Sequence, residues 1–189
     1  MKTLFTIFLA VLIVETGCRS PKPIAIDSAP VKVQESSASE QYKVYSDPST
    51  WILGYFNVSR FNQAPHSDWY VKGIDDYSVN QEAIGKLKSI SNSGITIKIV
   101  LGTWCPDSRR EVPRFMKVLD AVDFPGDKVQ FIGVDNVKIA PIENFEALDI
   151  QRVPTFIFYR NNIESGRIIE NPVTSLEQDM LDILTRNEK

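Results

Sequence analysis

Apolar positions divide the chain into stretches of different character. From Leu4 to Val14 they run almost unbroken, with only Thr6 intervening, behind the charge of Lys2 and ahead of the small-residue step Thr16-Gly17-Cys18. A positive start followed by such a run is the pattern of an export signal, and it is too short to span a bilayer. Between Arg19 and about Gln41 large apolar residues thin out, and Pro21, Pro23, Pro30 and the run Ser36-Ser37-Ala38-Ser39 take over. Such a stretch cannot bury enough surface to offset the entropy of ordering it, so it reads as a tether. As a random coil it spans on the order of 25 to 30 Å. The expected organisation is a signal peptide over 1–17, a disordered tether over 18–41 and one folded domain over 42–189.

Within that domain the first third is the hardest to read. Tyr45, Trp51, Tyr55, Phe56, Phe61, Trp69 and Tyr70 crowd it, interrupted by Pro48 and Pro65, without a helical or alternating period. We expect a strand and a helical extension covering one side of the core. His66, the lone histidine, stands in the polar string Gln63 to Asp68 and is expected at the surface.

The periods then become clear. Ala83, Ile84, Leu87 and Ile90 mark an amphipathic helix over Asn80 to Ile90. After Asn92-Ser93-Gly94, the β-branched run Ile95 to Leu101 predicts a buried central strand that leads into Gly102-Thr103-Trp104-Cys105-Pro106-Asp107-Ser108. Val112, Phe115, Met116, Leu119 and Val122 predict a helix over Arg109 to Val122, kinked at Pro113. Strands are expected over Lys128 to Val134, Thr155 to Tyr159 and Ser165 to Ile169, with a short helix over Ile142 to Leu148 and a closing amphipathic helix over Ser175 to Thr185. This order predicts an α/β fold: a central mixed sheet flanked by helices, with an aromatic-rich N-terminal extension.

Composition narrows the chemistry. The 189 residues are 43% hydrophobic and 24% charged, enough for one core, with a formal charge of −3. No stretch clusters Lys and Arg with aromatics, so nucleic acid is not an expected partner. No Cys-His cluster has ligand spacing, so no metal is implied, and nothing calls for a cofactor.

Of the two cysteines, Cys18 and Cys105, the second stands at a strand-to-helix junction. A thiol there faces unpaired backbone N–H groups and the positive end of the helix dipole, which favours the thiolate and makes Cys105 a candidate nucleophile. Ser108, one turn on, is placed to donate a hydrogen bond to that thiolate, and Arg109 and Arg110 to add positive potential. Asp107 opposes this unless it faces solvent or pairs with an arginine.

Trp104-Cys105-Pro106-Asp107-Ser108, Pro113, Val134-Asp135 and Val153-Pro154-Thr155, in this order and spacing, together resemble the thioredoxin superfamily from about Asn80 onward. The resemblance implies a thioredoxin-like fold in which Pro154 is cis and lies opposite Cys105. It also implies that Trp104, Pro106, Val153 and Pro154 contact the substrate. Gly17-Cys18 resembles a bacterial lipoprotein processing site, making Cys18 the expected lipid anchor. The protein is then exported to the cell envelope and held on a membrane by acyl chains.

The departure from the family is Ser108, which stands where a resolving cysteine would be. A hydroxyl cannot complete a disulfide, so Cys105 is expected to act alone in catalysis, with Ser108 beside it. Ile99 and Phe131 likewise occupy the positions of a buried acid and a lysine. The first reading is monothiol thiol-disulfide exchange, reduction or isomerisation, on exported proteins, with protein thiols or a small-molecule thiol as partners. The second is a non-catalytic module that binds peptides along the groove beside Pro154 by strand addition. A peroxide- or metal-handling protein is the third.

Overall fold

The computed structural model describes residues 43–186; the expected signal peptide, tether and Cys18 lie outside them. A helical turn over 43–46 opens the described chain. The elements that follow are β1 (Gly54–Phe56), α1 (Ser67–Asp76), α2 (Gln81–Lys88), β2 (Ile95–Leu101), α3 (Pro106–Ala121), β3 (Val129–Gly133), β4 (Thr155–Arg160), β5 (Ile163–Ile169) and α4 (Leu176–Thr185). Short 3-10 turns occupy Pro48–Thr50, Val58–Asn62, Gly126–Lys128 and Phe145–Leu148.

The strands form one mixed sheet in the order β1-β3-β2-β4-β5. β2 is parallel to β3 and antiparallel to β4, while β1 and β5 join at the edges in antiparallel sense. β2 is therefore central. Its alternation sends Ile95, Ile97, Ile99 and Leu101 to one face, where they meet Phe131, Phe156 and Phe158 under α3 and α4. Val100, Ile132 and Ile157 face the other way and pack with Val134, Ala140, Phe145, Val153 and Cys105. The loop from Val134 to Val153, with only a 3-10 turn in it, thus covers the second face at the end of the sheet where β2 leads into α3.

Several boundaries differ from expectation for local reasons. α3 starts at Pro106 rather than Arg109, because Cys105 is its N-cap and Pro106 takes the first helical position, where a missing N–H costs nothing. The helix continues through Pro113 to Ala121. That ring packs against Gly73 of α1, where a Cβ would overlap it. β5 begins two residues early, at Ile163, after a turn in which Asn161 and Asn162 both take positive φ. The expected helix over 142–148 shrinks to the 3-10 turn Phe145–Leu148, whose flanking residues Asn144 and Asp149 are left-handed.

The aromatic extension supplies the strand and helix expected of it. β1 pairs with β3, and Phe61 inserts against Phe131 and Tyr70 with ring centroids 5.9 and 4.9 Å apart. His66 is not at the surface: it is 3% exposed, between Tyr45 and Trp69. The turn over 43–46 lays Tyr45 across it, a contact that its polar neighbours in sequence do not announce.

Candidate functional site

Strand β2 ends in a loop that turns straight into α3, and this loop carries Cys105. The turn is closed by the Cys105 N–H donating to Gly102 O (2.9 Å), and α3 begins with Arg109 N–H donating to Cys105 O (3.1 Å). Gly102 is required by close approach, since a Cβ there would lie 2.5 Å from Nε1 and Cε2 of Trp104. Trp104 is pinned across it by its Nε1, which donates to Val134 O at 3.0 Å.

Opposite the loop, Val153-Pro154 is cis. The Cys105 thiol donates to Val153 O at 3.3 Å, so Cys105, Val153 and Pro154 come together where β4 begins. Cys105 is 7% exposed and is the one free cysteine among the described residues. A groove of about 390 Å³ passes over it, bounded by Trp104, Asn136, Lys138, Arg152, Val153 and Glu170. Asn136 and Lys138 belong to a tight turn organised by Asp135, whose Oδ1 accepts from Val137 N (3.0 Å) and Ile139 N (2.9 Å).

Ser108 is not placed as expected. It is fully buried, and its Oγ accepts from Gly102 N at 3.3 Å; no hydrogen bond joins it to Cys105 among the described residues. Position three of the helix points its side chain back toward the end of β2, where an unpaired amide needs an acceptor. The charges sort themselves differently too. Arg110 Nη2 reaches Asp107 Oδ1 at 2.7 Å and its Nε reaches Glu111 Oε1 at 2.6 Å, and Nη2 also donates to Asn171 Oδ1, so Asp107 is paired with an arginine and Arg110 is committed away from Cys105.

Arg109 is the cation that faces Cys105, and burial holds its guanidinium below the usual arginine range. Its Nη1 donates to the carbonyls of Thr103 (3.0 Å) and Trp104 (2.8 Å), and its Cζ lies over the Tyr45 ring, 4.1 Å from the centroid. Trp51 Nε1 donates to Tyr45 O (2.8 Å), Thr103 Oγ1 accepts from Ile52 N (3.3 Å), and the Trp51 and Trp104 rings sit 6.3 Å apart. The extension therefore braces the Cys105 loop. In the sequence Tyr45 and Trp51 carry no signal for a place at the site beyond the aromatic excess of their segment.

Pro106 lines a second hollow beside the loop, and Trp104 borders both. Among the described residues no cluster of three or more His, Cys, Asp or Glu is arranged to hold a metal, and no helix is long and apolar enough to cross a membrane.

No protein-family model matches the chain. Over 95 residues it is 30% identical to thioredoxin-5 of Dictyostelium discoideum, a match that covers 50% of this chain and 87% of that protein. Among solved structures it is similar to a Pseudomonas aeruginosa protein of unknown function, with a TM-score of 0.50 across 72% of this chain and 93% of the other at 14% identity, which speaks for the fold alone. With β2, the Cys105 loop, α3 and the cis Val153-Pro154 step arranged as described, the chain belongs to the thioredoxin family.

Proposed function

We propose that the protein performs thiol-disulfide exchange with a single thiol, Cys105, on polypeptide disulfides of the cell envelope. The observation that carries this reading is the meeting of Cys105 with Val153 O beside cis Pro154, at the floor of an open groove. A client disulfide lying along Val153 and Pro154 arrives over the sulfur. The Cys105 proton passes to solvent, the thiolate forms a bond with one client sulfur, the client S–S bond breaks, and the departing sulfur takes up a proton. A second thiol, on the client or on a small molecule, then attacks the mixed disulfide and restores Cys105. Trp104, Pro106, Val153 and Pro154 hold the client, while Ser108 acts through the loop, by accepting from Gly102 N–H.

The Leu4–Val14 run and the Gly17-Cys18 step support export and acylation of Cys18. The test of exchange is trapping. Protein recovered from its own envelope under alkylating conditions should carry client polypeptides released by reductant, and the Cys105→Ser variant should carry none. Equal yields from the two would remove Cys105 from the mechanism.

One observation favours a binding module instead: the thiol is 7% exposed and occupied with Val153 O. Alkylation of Cys105 no faster than that of an unhindered cysteine peptide, together with empty traps, would make the groove a peptide-binding site without exchange.

A further inference from the structure

We propose that the hollow between the N-terminal extension and α3 is a specificity subsite for an apolar side chain, aromatic or long aliphatic, carried by the polypeptide whose disulfide Cys105 attacks. This rests on the exchange reading and adds the class of substrate. The hollow measures about 320 Å³, and its walls include Tyr45, Trp51, Trp104, Pro106, Arg109 and Asn136, with Ser46, whose hydroxyl donates to Lys43 O, beside them.

Two observations fix its role. The first is continuity: Trp104 and Asn136 belong to this hollow and to the Cys105 groove alike. An extended chain crossing Cys105 advances about 3.3 Å per residue, so a neighbour of its reacting cysteine reaches the second hollow over the shared wall.

The second is the state of the polar groups. The indole N–H of Trp51 is donated to Tyr45 O, that of Trp104 to Val134 O, and the Tyr45 hydroxyl to Pro65 O. Arg109 gives Nη1 to two carbonyls and sets its Cζ over the Tyr45 ring. The indole and phenol donors are committed within the protein, so Tyr45, Trp51 and Trp104 offer the hollow mainly ring surface, with Arg109 and the Asn136 amide as the polar groups beside it. Aromatic and arginine walls of this kind anchor apolar side chains at peptide interfaces. The adjoining groove, with Lys138, Arg152 and Glu170, is polar by contrast and suits main chain. The two hollows thus divide the work of recognition, one taking the backbone and sulfur, the other a side chain.

The experiment uses short peptides of one sequence, each with a single cysteine activated as its mixed disulfide with thionitrobenzoate, and with Phe, Leu, Ser, Asp or Lys beside the cysteine. Cys105 forms a bond to the peptide sulfur, the peptide–thionitrobenzoate bond breaks, and coloured thionitrobenzoate leaves as the anion while the Cys105 proton goes to buffer. The Phe and Leu peptides should react about tenfold faster than the Ser and Asp peptides, a ratio typical of an apolar pocket. Trp51→Ala should shrink that ratio to about twofold or less, and Trp51→Phe should keep most of it. Equal rates for all peptides, or fastest reaction of the Asp peptide, overturn the proposal. Binding of the same peptides in reduced form to Cys105→Ser, followed by tryptophan fluorescence, separates subsite from chemistry. If no thionitrobenzoate is released yet the Phe peptide binds best, the exchange reading fails and the subsite stands; if Phe and Ser peptides bind alike, the subsite fails.

Discussion

Ile99 and Phe131 are register partners across the parallel pair β2 and β3, both buried, with Phe156 on the far side of Ile99. The row is apolar from strand to strand beneath α3, where Phe115 meets Phe156 with ring centroids 4.4 Å apart. No ionisable side chain stands in that row to accept or deliver a proton. In water-free surroundings a sulfur there would have to exchange its proton with solvent through the groove.

Ser108→Cys should therefore give a dithiol that closes but turns over slowly. Positions 105 and 108 share a face of the first turn, and the serine side chain already fits a buried site that a thiol can occupy with little change of volume. Mass spectrometry after mild oxidation should show loss of two hydrogens in the monomer. Two free thiols, or only intermolecular species, would mean that the start of α3 is not built to hold a disulfide.

Gly102→Ala tests the loop from beneath. The new methyl must displace the Trp104 ring, breaking its bond to Val134 O. A loss of about 1–3 kcal/mol in stability is expected from such overpacking. Adduct formation by Cys105 should fall with it, and Trp104→Phe in the same background should recover part of the stability. An unchanged melting curve would contradict the contact.

His66 should make stability depend on pH. Burial is the main cause of its lowered pKa, and the charges of Arg60 and Arg109 push the same way, while a hydrogen bond to the Thr50 backbone opposes them. The unfolded chain therefore binds a proton more readily than the folded one. Stability is complete above about pH 6.5, the ordinary histidine value, and is lost as pH falls from there through the lower folded pKa. Thermal unfolding at pH 7.5 and 5.5 should show this loss, and His66→Gln should reduce the difference between the two. A variant with the same pH dependence as wild type would assign it elsewhere.

Cys18→Ala tests the anchor. If Cys18 is acylated, the variant should leave the membrane fraction and migrate differently, because stable anchoring takes more than one acyl chain and those chains need the cysteine. Retention in the membrane with unchanged mobility would exclude lipid attachment at this position.

The central elements were legible because their side chains obey one period. In β2 Ile95, Ile97, Ile99 and Leu101 are buried on one face while Thr96 on the other is exposed, and in α3 Val112, Phe115 and Leu119 keep helical spacing over that strand. Cys105, Pro106, Val153 and Pro154 could be placed because family spacing fixes them at the ends of these elements. The extension resisted reading because its residues answer to distant partners. Tyr45 meets Arg109, Phe61 meets Phe131, and neither relationship leaves a local period. Ser108 departs from expectation for a related reason: the sequence shows its distance from Cys105 along the helix but not the Gly102 amide behind it, from which its Oγ accepts. Two buried acids were likewise silent. Glu177 accepts from Tyr77 and from Asn80 N, and Glu111 pairs with Arg110 and Arg114, although each reads as an ordinary surface residue of an amphipathic helix.

With Cys105 as the sole thiol among the described residues, a disulfide of this domain joins it to a cysteine outside them, and with Cys18 acylated, as proposed, that cysteine belongs to another molecule. A dithiol partitions between open and closed forms by an intramolecular equilibrium that dilution does not touch. Here the fraction oxidised follows mass action, rising with the concentration of the partner and falling on dilution. The redox state of the domain is thereby a measure of how much partner surrounds it, and confinement of both to one thin layer of the cell would shift that state with no change in reduction potential.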